Sequence, residues 1–198
     1  VGVSDFPAWK VAEANTLAEL RGWSRFVALQ IEYSLVERTV ERELMPMAEA
    51  FGLGVTPWSP LAGGILTGKY KRADAKANGD MSPGGNKSRL DFLRSRLTEK
   101  TFSVVDAVAA VARRTGRSMA QIALRWLLEQ PGVSSPILGA RTAKQMQDNL
   151  QCLDFALDPA DIAKLDEMSK VEHGFPMAFL RGPKIREIVS GGASVTAK

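Results

Sequence analysis

The chain has 198 residues, 45% of them hydrophobic and 24% charged. That is enough apolar content to bury a core as one domain, and it argues against a disordered segment. The net charge is +4 with the basic residues scattered, so neither a nucleic-acid stripe nor a membrane-binding face is indicated, whereas a small anionic ligand suits the balance. The single cysteine, Cys152, excludes an internal disulfide and a cysteine-cluster metal site and fits a reducing, cytoplasmic setting. No apolar run reaches membrane-spanning length, and no signal-peptide pattern opens the chain.

In chain order, Val1–Phe6 reads as a buried strand ending at Ser4-Asp5. Pro7 then opens a helix expected to reach Arg21. Residues 26–33, FVALQIEY, form a second strand, and Glu41–Phe51 a helix stopped by Gly52. The stretch 55–69, VTPWSPLAGGILTGK, begins as a third strand, with Pro57 and Pro60 expected to stop regular pairing because each lacks an amide donor. The polar run from Lys69 to Arg89 is expected to be a long loop. Helices follow at Thr98–Thr115, ended by Gly116, and at Ser118–Gln130, capped by Ser118. A fourth short strand is expected at Ser134–Ala140, then helices over Thr142–Leu153 and Leu157–Met168, the latter with Asp158-Pro159 at its start. The tail from Glu172 is expected to be partly irregular. Strands alternating with helices imply a mainly parallel sheet of right-handed βαβ units.

Two stretches carry chemistry. At the carboxyl end of the third strand, Trp58 stands beside Gly63-Gly64, and in parallel α/β folds that end is where ligands bind. A flat ring next to glycine-rich backbone suits a planar, phosphate-bearing cofactor, but it equally suits a core tryptophan before a tight turn. In the run ILGARTAKQMQDN, Gly139 permits close approach and Arg141 is suited to a bidentate pair with a phosphate. Gln145 and Asn149 follow Thr142 at helical spacing. A capped, solvent-facing helix is the other reading of that run.

Several blocks resemble the C-terminal half of an aldo-keto reductase, an NADPH-dependent (β/α)8 TIM-barrel family. They are VGVSDF, LQIEYSL, GVTPWSPLAGGILTGKY, AQIALRWLLEQPGVSSPILGARTAKQMQDNL and LDPADIAKLDEM. The resemblance implies an α/β fold in which residues 1–198 form a single domain of four βα units with parallel strands plus a C-terminal tail, the N-terminal half being absent. It also implies a carbonyl reductase acting on an aldehyde or ketone with NADPH (NADP). Ser4 and Asp5 match the strand-end pair that holds the nicotinamide carboxamide, with Asp5 departing from the usual asparagine and lacking its amide donor. Gln30 matches the glutamine that meets the same carboxamide, though a satisfied sheet-end glutamine is its ordinary reading. Trp58 falls where a ring stacks on the nicotinamide, while Ser59, Pro60, Leu61, Gly63 and Leu66 match the pyrophosphate loop. Gly139, Arg141 and Gln145 match the adenosine-phosphate contacts, and Asp148 and Asn149 the adenine contacts. The polar loop at Arg72–Arg89 and the tail around Phe175–Arg181 correspond to segments that border the substrate.

The family's catalytic Tyr, Lys, Asp and His come from its N-terminal half, so the resemblance assigns no catalytic residue to this chain. The two tyrosines, Tyr33 and Tyr70, and the one histidine, His173, lie elsewhere. Four βα units leave two strand edges unpaired, so an N-terminal half-barrel or a second copy is expected to close the barrel. The opening Val1-Gly2-Val3, without an initiator Met, favours a piece of a longer enzyme. A non-catalytic nucleotide-binding subunit, like the potassium-channel subunits of this fold, and a half-barrel that dimerises are the alternatives.

Overall fold

The computed structural model describes residues 1–76, 93–180 and 182–191. Strands β1 (Gly2–Ser4), β2 (Ala28–Glu32) and β3 (Gly54–Trp58) form one parallel sheet in the order β1-β2-β3. Helix α1 (Ala8–Arg21) links β1 to β2, and α2 (Leu44–Ala50) links β2 to β3, the crossovers that parallel pairing requires. After β3 come a 3-10 segment (Ala62–Thr67) and helices α3 (Arg72–Lys76), α4 (Glu99–Thr115), α5 (Met119–Leu128), α6 (Ala143–Leu150), α7 (Pro159–Ser169), α8 (Met177–Leu180) and α9 (Pro183–Ser190).

Local chemistry fixes these boundaries. Thr98 Oγ1 accepts the Thr101 amide at 3.2 Å to start α4, and Gly116 ends it in the left-handed region. Ser118 and Gln121 make a reciprocal capping box at the start of α5. Thr142 caps α6, and Asp158 caps α7 ahead of Pro159 at its first position. These helices match the sequence expectation to within a few residues.

The sheet is two-faced. Leu29, Ile31 and Val55 point to one side and are wholly buried with Val11, Val108, Ile122, Trp126 and Leu165 from the helices. Ser4, Gln30, Thr56 and Trp58 point to the other side, which the described residues leave open. Alternation of side chains along each strand makes the division strict.

Five expectations are corrected. Pro57 does not end pairing: it lies inside β3 in register with Ile31, and its carbonyl faces away from β2 to accept the Ile137 amide at 2.7 Å. The fourth strand expected at Ser134–Ala140 does not form as a regular strand. That segment runs beside β3 through one parallel bridge, Val55 to Val133, with Val55 N donating to Gly132 O and Ser134 N to Val55 O. Continuing the ladder needs amide hydrogens from Pro57 and Pro136, and neither has one. The expected loop from Lys69 contains α3, tied down by Arg72 to Glu99 at 3.1 Å and to Asp106 at 2.8 Å; the rest of it, 77–89, lies outside the described residues. β1, expected to be buried, is exposed at Gly2 and Ser4 and half-buried at Val3, because no described strand pairs with its outer edge. The tail, expected to be partly irregular, holds two short helices, α8 and α9, after an irregular stretch.

Candidate functional site

A groove of about 850 Å³ opens at the carboxyl end of β3. One wall is the loop from Ser59 to Thr67, and the other is the run from Ile137 to Asn149. The two sequence signals, far apart in the chain, therefore meet. Ser59, Pro60, Leu61 and Gly63 face Gly139, Arg141, Gln145, Asp148 and Asn149 across the same space.

The glycine loop is shaped by backbone that few residues tolerate. Gly63 has φ 66° and Gly64 φ 95°, where an L side chain is strained. A Cβ on Gly63 would lie 2.9 Å from both methyl carbons of Leu93, and one on Gly64 would lie 2.7 Å from Lys69 Nζ. Lys69 thus lies directly over glycine backbone at the edge of the groove. On the other wall, Gly139 has open space where a Cβ would point, so a ligand can reach its main chain.

Helix α6 turns its amino end into the groove. Thr142 Oγ1 accepts the Gln145 amide at 3.2 Å, and Gln145 Oε1 accepts the Arg141 amide at 2.9 Å. Arg141 is exposed, and its guanidinium has no carboxylate partner among the described residues; the same holds for Lys144. Two cations at the positive end of a helix repel its macrodipole. With Lys69 opposite, the groove gathers three cations that pair with no carboxylate among the described residues. Its one carboxylate is already engaged: Asp148 accepts from Ser118 Oγ at 3.1 Å and from Gln121 Nε2 at 3.0 Å. An anion with more than one negative group is the complement of this surface.

Beside the groove, the strand ends carry the remaining expected residues. Ser4 and Gln30 are in register across β1 and β2, and Gln30 pairs with Thr56 of β3. Asp5, at φ 55°, accepts the indole N–H of Trp58 at 3.0 Å and the Ser4 hydroxyl at 3.1 Å. The missing amide donor at Asp5 thus has a counterpart the sequence did not suggest, an acceptor for Trp58. Glu32, in register with Trp58, is held by Arg96 Nη2 at 2.9 Å.

Leu66 stands apart from this set. Its side chain is completely buried and its amide donates to Leu61 O, so it supports the loop from beneath. Burial and the Glu41 carboxylate push the Tyr33 hydroxyl far above the ordinary tyrosine range, and it donates to Glu41 at 2.6 Å inside the core. Tyr70 lies against Lys69, and neither it nor His173 lines the groove. Nor do the tail residues around Phe175 or residues 72–76 of the polar loop. Sequence reasoning missed Lys69 and Lys144. The signal for Lys144 was a basic residue in the first turn of a helix, where the macrodipole favours an acidic one.

A model of the Aldo/keto reductase family matches residues 1–170. Norsolorinic acid reductase stcV of Emericella nidulans is 34% identical over 183 residues, 91% of this chain and 43% of that protein. The NADP(+) aryl-alcohol dehydrogenase of Phanerodontia chrysosporium is 31% identical over 178 residues, 89% and 45% of the two chains. A probable voltage-gated potassium channel subunit beta of Oryza sativa subsp. japonica is 33% identical over 168 residues, 83% and 50%. The chain spans about half the length of the curated relatives it matches.

Proposed function

The chain belongs to the aldo/keto reductase family, and on that premise we propose that it supplies the NADPH-binding half of a carbonyl reductase. The observation that carries the reading is the gathering of Lys69, Arg141 and Lys144, with no carboxylate partner among the described residues, around a groove walled by glycine backbone. Arg141 and Lys144 take the 2′-phosphate side, and Ser59–Gly63 with Gly139 offer main chain to the pyrophosphate. Gln145, Asp148 and Asn149 border the adenosine end, with Asn149 buried and Asp148 held by Ser118 and Gln121. Trp58, Gln30, Ser4 and Asp5 border the nicotinamide end. A reduced nicotinamide, when bound, supplies the hydride that an aldehyde or ketone accepts at its carbonyl carbon.

Among the described residues the groove holds no tyrosine or histidine to give the carbonyl oxygen its proton. Tyr33 is sealed in the core, and its ionisation is opposed by burial and by Glu41. The full reaction is therefore proposed for the assembled protein, with the open face of the sheet and the free edge of β1 completed by an N-terminal half-barrel or by a second copy. Alone, this chain binds the cofactor without turnover. The setting is cytoplasmic in this reading; among the described residues no helix is long and apolar enough to cross a membrane. The relative named as a channel beta subunit favours one other reading, a nucleotide-binding subunit without turnover.

Titration of the chain with NADPH, NADH and ADP, followed by tryptophan fluorescence and calorimetry, tests the cofactor claim. Saturable binding tightest for NADPH is expected, and no binding of any of the three would refute it. Native mass with and without an added N-terminal half-barrel, followed by an assay with simple aldehydes, separates reductase from subunit.

A further inference from the structure

The Asp5 carboxylate sits where the cofactor reading has only a neutral amide. It accepts the Trp58 indole N–H at 3.0 Å with one oxygen and the Ser4 hydroxyl at 3.1 Å with the other. No Lys or Arg among the described residues pairs with it. Its own amide donates to Gln30 O at 3.1 Å, which keeps the chain in register with β2 up to the point where φ turns to 55°. Ser59, directly after Trp58, also has φ 55°. The carboxylate and the ring it holds are thus both carried beside tightly specified turns, at the ends of β1 and β3 on either side of β2.

We propose that Asp5 is a positioning and specificity-determining residue: it fixes the Trp58 ring and biases the site toward the oxidised, positively charged nicotinamide over the reduced, neutral one. The proposal rests on the nicotinamide reading of Trp58 given above. A hydrogen bond from indole to a carboxylate is charge-assisted and sets the ring's orientation. An uncompensated negative charge at the edge of that ring favours whichever ligand form carries positive charge. The face of a Trp ring attracts a cation as well. Both effects act on the oxidised form and leave the neutral form nearly untouched. An asparagine at the same place would hold the ring without supplying the charge.

Two substitutions separate these contributions. Asp5→Asn keeps an acceptor for the indole and tolerates positive φ, while Asp5→Gly removes the acceptor without straining the backbone. The readouts are the dissociation constants of the whole chain for NADP⁺ and NADPH, and the indole N–H resonance of Trp58 in 15N-tryptophan protein, assigned with Trp58→Phe. For Asp5→Asn the NADP⁺ constant is expected to rise roughly fivefold while that for NADPH stays within about twofold, the size of one Coulomb contact at a half-wet surface. The Trp58 resonance should stay near its original position in Asp5→Asn and move, with faster hydrogen exchange, in Asp5→Gly. Equal loss of both redox forms in Asp5→Asn, or no loss of either, overturns the proposal. So does a Trp58 resonance that ignores Asp5→Gly. A wild-type chain that binds neither form overturns the nicotinamide reading itself, a result distinct from binding without redox bias.

Discussion

The glycine loop offers the sharpest test of how this groove is built, through Gly63→Ala set against Gly139→Ala. At Gly63 a methyl group meets φ 66° and two Leu93 carbons at 2.9 Å, and Leu93 is only 3% exposed. The left-handed backbone costs an alanine about 1–2 kcal/mol. Forcing a methyl against a buried leucine costs about 1–3 kcal/mol more. The stiffer unfolded chain returns about 0.4–1 kcal/mol. The net loss is about 3 kcal/mol, in a range of roughly 1–5, and its central value lowers Tm by about 6–12 °C in a chain of this size. At Gly139 nothing lies within 4 Å of the added carbon and φ is not positive, so Tm should hold within about 2 °C. Gly139 lines the groove, however, so a methyl group there is expected to lower NADPH affinity although stability does not fall. Thermal melts by circular dichroism and a cofactor titration on both variants give four numbers. Equal melting temperatures for Gly63→Ala and wild type would show that Leu93 does not close on the loop as described. Unchanged NADPH binding by Gly139→Ala would remove the cofactor from that wall of the groove.

Other substitutions probe separate parts of the molecule. Arg141→Ala should weaken NADPH by about 2 kcal/mol, with a much smaller effect on NADH; equal losses in parallel titrations would detach Arg141 from the 2′-phosphate. Trp58→Ala should weaken NADPH and NADH alike, since stacking does not read the 2′ position, and no change in either would return Trp58 to a packing role. Arg38, nearly buried, donates to Glu41, to Asp166 Oδ1 at 2.9 Å and to Ser169 Oγ at 2.7 Å, with its guanidinium 5.0 Å from the Trp126 ring centre. Arg38→Ala leaves Glu41 and Asp166 without their cation and should cost about 3 kcal/mol in a urea melt; a loss under about 1 kcal/mol would show the network contributes little. Tyr33 is pushed upward by burial first and Glu41 second, so its contribution is intact below about pH 10, where an unfolded tyrosine ionises, and is lost as pH rises beyond that. Tyr33→Phe should therefore flatten the alkaline limb of a stability-versus-pH curve, and an unaltered limb would contradict the assignment.

What the sequence showed clearly was whatever its local chemistry determines. Helices α4 to α7 start at Thr98, Ser118, Thr142 and Asp158 because each side chain satisfies an amide within the next few residues. No distant contact is needed to predict that. The fourth strand was misjudged because the short stretch SSPILGA, read alone, says nothing about which amides the neighbouring edge demands. Pro57 and Pro136 fail that demand only once the two segments lie side by side. The Asp5–Trp58 bond spans 53 positions, and the Arg38–Asp166 pair 128; such pairings follow from sheet register and helix packing, which one sequence does not display. For the site, residue types and glycine spacing were readable, while the lack of a carboxylate beside Lys69 and Lys144 among the described residues was not.

The distribution of backbone strain points to the same place as the charges. At the ends of α1, α4 and α9 the positive φ angles belong to glycines, Gly22, Gly116 and Gly191, where they carry no steric penalty. Asp5, Ser59 and Ala62 are the residues other than glycine with positive φ among those described. All three follow the carboxyl ends of strands, and Ser59 and Ala62 belong to the loop that walls the groove. A glycine at each would relieve of order 1 kcal/mol. Ser59 and Ala62 hold the turn that brings Gly63 under Leu93 and Gly64 under Lys69, and Asp5 holds the acceptor that fixes Trp58. Glycine substitution at these positions would lower the strain and loosen the placement together. If the loop served only to connect β3 to the helices, Ser59→Gly and Ala62→Gly would raise stability without cost. If it is built to receive an anion, the same changes raise Tm slightly and weaken NADPH binding. That opposition between melting temperature and affinity is the signature of strain kept for binding.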